Sequence, residues 1–176
     1  MPLSPTLCMI VLEVFESSQE DKKMASNLVV CRYIDRAVIK GSTHDFAPNK
    51  LVFHVQVKDE EGDVKTVDVP MAELKAVFFV KSLEGKKDYE EERAFTRPSV
   101  EPKIVVEFSD NERIVGTTSG YSHDRSGFFV SPVDFESNNL RIYVVAAAVK
   151  KVLVGAQAEE AIKDMAQQKN STKEKT

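Results

Sequence analysis

Two loops of the sequence each combine an aromatic residue with a cation four positions later. They are Phe46 with Lys50 in "HDFAPNK" and Tyr121 with Arg125 in "SGYSHDR". Rings that stack on unpaired bases and cations that hold phosphates are the usual means of recognising single-stranded RNA. Further cations lie close by in the sequence: Arg32, Arg36 and Lys40. The alternative is that the rings close the ends of a small barrel and the cations are merely solvated, which the net charge of −4 favours.

Residues that commonly carry catalysis are few and scattered. Ser122, His123 and Asp124, followed by Arg125, form one polar group that could assist proton transfer. The three histidines are not spaced as metal ligands, and the common nucleophile, phosphate-loop and zinc motifs do not occur. We therefore predict that the protein is not an enzyme and has no metal site and no cofactor.

The elements that position these loops come from an internal repeat. The segment "LVVCRYIDRAVIKGSTHDFAPNKLVFHV" returns as "KIVVEFSDNERIVGTTSGYSHDRSGFFV" at a constant offset of 75. Identical residues recur where a fold needs them, as at Gly41 and Gly116, inside the second strand of each copy. Glycine inside a strand is typical of a bulge or a sharp bend. A duplicated unit therefore predicts the architecture better than it predicts the activity.

Each copy is predicted to contain short strands joined by tight turns, with one helical turn before the last strand. The fold class is mainly β, with two tandem small SH3-like or Sm-like β-barrels followed by a short C-terminal α-helix. One larger barrel built jointly by both copies is the alternative, because a unit of about 50 residues is marginal alone.

The predicted organisation has five parts. Residues 24–82 form the first barrel, 83–102 a charged connector, 103–155 the second barrel, and 156–176 a helix and polar tail. Residues 1–23 form an N-terminal extension. The run "QEDKKM" can be encoded as a purine-rich bacterial ribosome-binding site ahead of an ATG codon, which favours Met24 as the natural start, so the extension is predicted to lie outside the native protein.

Composition points to a protein of a reducing, cytoplasmic compartment. The apolar stretch "LCMIVLEVF" is too short to span a bilayer and lacks the features of a secretory signal, so we predict no membrane insertion. Only two cysteines occur, and Cys31, within an apolar run, is predicted to be a small buried thiol.

One stretch of the second copy has no counterpart in the first. Ser137, Asn138, Asn139 and Arg141 form a polar cluster within "SPVDFESNNLRIYV". The first interpretation is an Asx-type turn that holds a hairpin. The second is a recognition loop, because a difference between otherwise equivalent copies indicates where one of them has been specialised.

Two segments are similar to the binding motif of PilZ domains, small β-barrels that bind cyclic di-GMP through "RxxxR" and a later "[DN]xSxxG". "RYIDR" (32–36) matches the first part. "DFAPNK" (45–50) and "GYSHDR" (120–125) occur where the second part is expected, and both depart from it. Ala47 and Lys50 replace Ser and Gly in one, whereas Gly120 and Arg125 replace the flanking residues in the other.

Residues 27–154 also resemble a family of uncharacterised bacterial proteins with duplicated small β-barrel units. The strings that carry the resemblance are "VVCRYIDRAVIKGSTHDFAPNKLVFHV", "LKAVFFVKSLEG" and "GYSHDRSGFFVSPVDFESNNLRIYVV". The family is associated with PilZ-type signalling proteins. The resemblance implies a cytoplasmic bacterial protein close to second-messenger signalling, and it supplies no active site.

These observations favour a non-enzymatic adaptor in bacterial signalling. A protein partner would be recognised through loops 44–50, 119–126 and 134–141, with exposed edge strands as a second route. The alternative is a ligand-binding barrel, either for cyclic di-GMP or for single-stranded RNA.

Overall fold

A computed structural model describes residues 26–86, 88–95 and 98–173 of the chain. Within them the chain forms ten strands, two 3₁₀ turns and one α-helix. The strands of the first half are β1 (Asn27–Tyr33), β2 (Val38–Thr43), β3 (Val52–Lys58), β4 (Val64–Pro70) and β5 (Leu74–Val80). Those of the second half are β6 (Lys103–Phe108), β7 (Arg113–Thr117), β8 (Gly127–Pro132), β9 (Asn139–Val145) and β10 (Val149–Val154). The helix α1 is Ala156–Lys173, and the 3₁₀ turns are Met71–Glu73 and Ala146–Ala148.

All ten strands belong to one antiparallel sheet that is not closed. Its order is β10-β6-β7-β8-β9-β5-β1-β2-β3-β4. The mainly β class and the C-terminal helix are therefore confirmed, but the prediction of two separate closed barrels is not. The strand β5 pairs with β9 as well as with β1, so the two halves share a continuous ladder. A joint closed barrel is not formed by the described strands either, because β4 and β10 are the two edges of their sheet.

Pairings within the two halves correspond at the offset of 75. Val30 lies opposite Lys40, and Val105 lies opposite Val115. The strands β5 and β10 occupy equivalent places beside β1 and β6, and each pairing carries the same register shift near its end. The turns after β1 and β6 also agree, since Arg36 (φ 77°) and Asn111 (φ 65°) both adopt left-handed backbone conformations.

The sheet bends sharply where β2 meets β3 and where β7 meets β8. These contacts are short, with Ser42 opposite Gln56 in the first half. At both bends a glycine lies directly against the crossing strand. A Cβ atom on Gly41 or Gly116 would overlap the backbone oxygen of Gln56 or Ser131, so both positions require the absence of a side chain.

The join between the halves is the most deeply buried part of the sheet. All seven residues of β5 are buried, whereas β10, its counterpart in the second half, keeps Lys150 and Lys151 exposed. The difference follows from pairing, because β5 has a neighbour on both sides and β10 on one. A strand that is apolar at nearly every position is the expected result of burial on both faces.

The helix α1 covers one face of the second half. Ala158 and Ile162 are buried against Val105 and Val115. The predicted C-terminal helix therefore packs on the sheet, and it continues to Lys173. The predicted extension 1–23, with its proposed boundary at Met24, lies outside the described residues.

Candidate functional site

The two loop aromatics predicted to stack on bases are engaged in packing. The ring of Phe46 makes edge contacts with Phe53, Phe79 and Tyr143 at centroid distances of 5.1 to 5.3 Å. Tyr121 packs edge-on against Phe128 at 4.9 Å. The two rings thus belong to the hydrophobic clusters of the two halves. Phe46 would have to leave its cluster before it could stack on a base.

The loop cations differ in their surroundings. Lys50 donates a hydrogen bond to Asp45 at 2.8 Å, and Arg141 lies over the rings of Phe79 and Phe129. Arg36 is exposed on the turn between β1 and β2, and Arg125 is exposed in the loop before β8. The loop neighbours of Arg125 are exposed or half-buried: Ser122, His123 and Asp124.

Asp45 organises the loop between β2 and β3. Its carboxylate accepts hydrogen bonds from the Lys50 ammonium and from the backbone N–H of His54, and it lies 2.8 Å from His54 Nδ1. Burial alone would raise the pKa of Asp45, but these hydrogen bonds hold it well below its usual range. The group therefore fixes the loop that carries Phe46. The hydroxyl of Thr43 also donates to this carboxylate, at 3.3 Å.

The polar cluster of 137–141 joins the β8–β9 hairpin to the connector. Asn138 exchanges hydrogen bonds with the backbone of Ser82 through both ends of its amide. Asn139 donates to Glu91 at 2.7 Å. Asp134 accepts from Glu136 N–H as in an Asx turn, and also from the Tyr89 hydroxyl and Glu92 N–H. The hairpin is therefore both a turn and the anchor of residues 82–92.

Replacing Asp134 by Asn is expected to loosen this anchor. Burial would raise the pKa of Asp134, yet the hydrogen bonds that it accepts lower it, so the carboxylate stays charged at neutral pH. The same contact raises the pKa of Tyr89 to about 12. In Asp134→Asn, the Tyr89 pKa should fall toward that of a free tyrosine, as measured by NMR titration, and amides of 88–92 should exchange faster. Asp124→Asn, in an exposed loop, is the control. An unchanged Tyr89 pKa would contradict the anchor.

A groove of about 700 Å³ lies between the two halves, and we call it the inter-half groove. Apolar side chains from both halves form its floor: Val30, Phe78, Leu83, Ile114, Val115 and Ile142. Charged side chains surround it, among them Arg32, Lys40, Arg93, Glu90 and Glu112. Ligand sites in proteins are commonly concave, largely apolar and 300 to 1,000 Å³ in volume. The inter-half groove has this shape and volume, although more of its accessible lining is polar than apolar.

A network of ion pairs across the halves borders the groove. Arg32 binds Glu112 at 2.7 Å and lies over the Phe78 ring. Lys75, whose side chain is 8% exposed, contacts the carboxylates of both Asp110 and Glu112. The charges fix the turn between β6 and β7 against β1 and β5. Sequence analysis missed this role of Lys75, although a lone lysine in the apolar run "LKAVFFV" was the available signal.

The predicted site residues do not form one surface. Arg32, Asn138 and Asn139 line the inter-half groove, as does Asp134. Loop 119–126 and loop 134–138 lie at opposite ends of β8, so they cannot act together. Loop 44–50 packs on the join through Phe46 and through Pro48, whose carbonyl accepts from Tyr143. The groove is thus assembled by the pairing of β5 with β9, which brings distant segments together.

Across 26–86, 88–95 and 98–173, no group of three His, Cys, Asp or Glu side chains has an arrangement that would hold a metal ion. Cys31 is buried, as predicted, and burial raises the pKa of its thiol to about 12. In the same part of the chain, no helix combines the length and the apolar character that crossing a bilayer requires.

Comparison with known proteins gave a single family. Residues 25–156 match DUF6982, described as a family of unknown function. The chain belongs to the DUF6982 family. No curated protein and no solved structure gave a significant match. The DUF6982 region includes all ten strands and every residue named on the inter-half groove, whereas α1 begins where that region ends. The groove is therefore a feature of the family region.

Proposed function

We propose that this DUF6982 protein is a non-enzymatic interaction module that binds a segment of a protein partner in the inter-half groove. The observation that carries the proposal is the concave surface between the halves, which has an apolar floor, a mainly polar accessible lining and charged borders. Burial of the apolar floor residues on binding supplies affinity, and the charged residues at the border supply orientation and selectivity. Such a division is typical of a recognition site.

The fold itself suggests which kind of segment would bind. In the second half, α1 packs on Val105, Val115 and Leu153. At the offset of 75, the equivalent residues of the first half line the inter-half groove: Val30, Lys40 and Phe78. In the second half, a helix with a narrow apolar face already packs on the equivalent surface. We therefore propose a helix of this kind as the ligand of the groove. Because Lys40 replaces Val115, the partner helix should carry an acidic residue facing Lys40.

The resemblance to proteins associated with PilZ domains supports a place in bacterial cytoplasmic signalling. We propose further that the two halves derive from one duplicated SH3-like or Sm-like unit. Their equal strand order and their register at a constant offset support this origin. Duplication would have created the inter-half groove, since neither half contains it alone.

The substitution Val38→Asp tests directly whether the partner binds in the groove. Val38 is 50% exposed and lines the groove, so a charge there should disturb binding more than folding. The partner captured from lysate by the full chain would be purified and titrated calorimetrically against each variant. We expect Val38→Asp to weaken the affinity by about tenfold or more, because a hot-spot contact carries at least 1.4 kcal/mol.

The matched control is Val52→Asp, since Val52 lies outside the groove on β3 and is 41% exposed. Equal affinities of the two variants would overturn the groove as the binding surface. Titration with cyclic di-GMP and with short RNA, at low and physiological salt, examines the ligand-binding alternatives. If cyclic di-GMP or RNA binds the unsubstituted chain and Val38→Asp abolishes that binding, the ligand of the groove is that molecule and not a protein. A steep loss of affinity with salt would identify RNA.

A further inference from the structure

The two edges of the sheet are equivalent to the two strands that join the halves. At the offset of 75, β4 corresponds to β9 and β10 corresponds to β5. The pair β9 and β5 is hydrogen-bonded, with Tyr143 opposite Val77. The strands β4 and β10 each have one neighbour within the described residues. Unpaired edges are ready templates for pairing with another chain.

We propose that copies of this chain associate head to tail, with β4 of one copy paired to β10 of the next. The expected register is that of the internal join. Val67 would lie opposite Leu153 of the next copy, and Asp68 would lie opposite Val152. We therefore assign a second copy of the chain to each edge. In the internal join, the strand equivalent to β4 already pairs with the strand equivalent to β10.

Charges at the two edges are complementary in this register. Lys150 would lie two residues from Val152, the position opposite Asp68, at the register shift of β10 and within reach of a long side chain. Asp68 is 77% exposed and lies 3.6 Å from His54 Nε2, and Lys150 is 52% exposed and paired with Glu107 at 3.1 Å, so the contact between copies requires Lys150 to share its ammonium with Asp68. Opposite charges at such positions favour pairing between copies over pairing of like edges.

The contact between copies is weaker than the internal join. Tyr143 and Arg141, which pack on the aromatic cluster at the internal join, correspond to Asp68 and Thr66 on β4. The aromatic contribution is therefore missing between copies, and association depends on backbone pairing and charge. It follows that assembly is reversible and increases with protein concentration.

Such an interface is heterologous, since two different edges meet. Repeating it adds copies in one direction and gives either a closed ring, of two or more copies, or a filament. The surfaces involved lie outside the inter-half groove, so the assembly and the binding of a partner are independent of one another.

Two variants, each with one introduced cysteine, test the pairing in the full chain. Cys8 is replaced by Ser in both, and the buried Cys31 is retained. One variant carries Asp68→Cys and the other Val152→Cys. Directly opposed residues in a sheet lie 4.5 to 5.5 Å apart, which a disulfide can bridge. Under mild oxidation, a mixture of the two variants should form a covalent dimer, and neither variant alone should.

The absence of that dimer in the mixture at the highest soluble concentration would overturn the proposal. A dimer formed by Asp68→Cys alone would overturn it too, because it would show that like edges pair. Sedimentation velocity of the unmodified chain provides the second measurement. We expect the average mass to rise with concentration and to fall in Asp68→Lys, in which the edge meets Lys150 with a like charge. A constant monomer mass would refute the association.

Discussion

Alanine at Gly41 or at Gly116 is expected to destabilise the protein by about 3 kcal/mol or more, enough to unfold much of the population. Each glycine lies where one strand crosses the next at a sharp bend, and the added Cβ would overlap a backbone oxygen. Backbone atoms cannot turn aside as side chains do, so the strands must separate. Urea denaturation followed by circular dichroism measures the loss.

Gly120→Ala is the control for this pair of substitutions. Its backbone conformation is open to any residue, and the nearest atom to an added Cβ is Arg125 Nη1 at 3.8 Å. We expect its denaturation midpoint to lie close to that of the unsubstituted chain. Equal midpoints for Gly41→Ala, Gly116→Ala and Gly120→Ala would show that the bends tolerate a side chain.

Alanine at Lys75 is expected to cost about 2 kcal/mol. Removal of one partner from a buried ion pair leaves the other charge uncompensated, which costs 3 to 5 kcal/mol when both are fully buried. Here the carboxylates of Asp110 and Glu112 are 36% and 37% exposed, so water compensates part of the loss. Lys150→Ala removes the equivalent lysine of the second half, which is 52% exposed, and should cost far less.

The same substitution should change how stability depends on pH. A hydrogen bond from Lys75 lowers the pKa of Asp110. The carboxylate therefore stabilises the folded state above its ordinary pKa of 3.8, and this contribution is lost as the pH falls through the lowered value. Lys75→Ala should thus lose less stability than the unsubstituted chain between pH 5 and pH 3. Parallel losses in urea titrations at these two pH values would show that Lys75 does not set the Asp110 pKa.

Local patterns predicted the strands well because the information lies within a few residues. Tight turns do join the strands, with Arg36 and Asn111 at equivalent places, and the helix predicted within 156–176 does form. The pairing of β5 with β9 was not predicted, since it depends on long-range contacts. One local signal was present, because "LKAVFFV" lacks the alternation of a strand with one solvated face.

The candidate site was only partly predictable for the same reason. Arg32, Asn138 and Asn139 were selected as polar residues of interest, and they do line the groove. Phe78 and Leu83 form its floor, but in the sequence they are indistinguishable from core residues. Phe46 was selected as a loop aromatic, whereas the join between the halves encloses its ring. A groove between two units becomes visible only when their relative placement is known.

The central position of β5 also has a consequence for synthesis on the ribosome. Tyr143, which lies opposite Val77 in the finished sheet, is translated 66 residues later. A nascent first half therefore presents a bare, almost wholly apolar β5 edge until most of the second half has emerged. Exposed strands of this kind are prone to aggregate. Slow translation or early termination within the second half would thus leave a species that depends on chaperones to stay soluble.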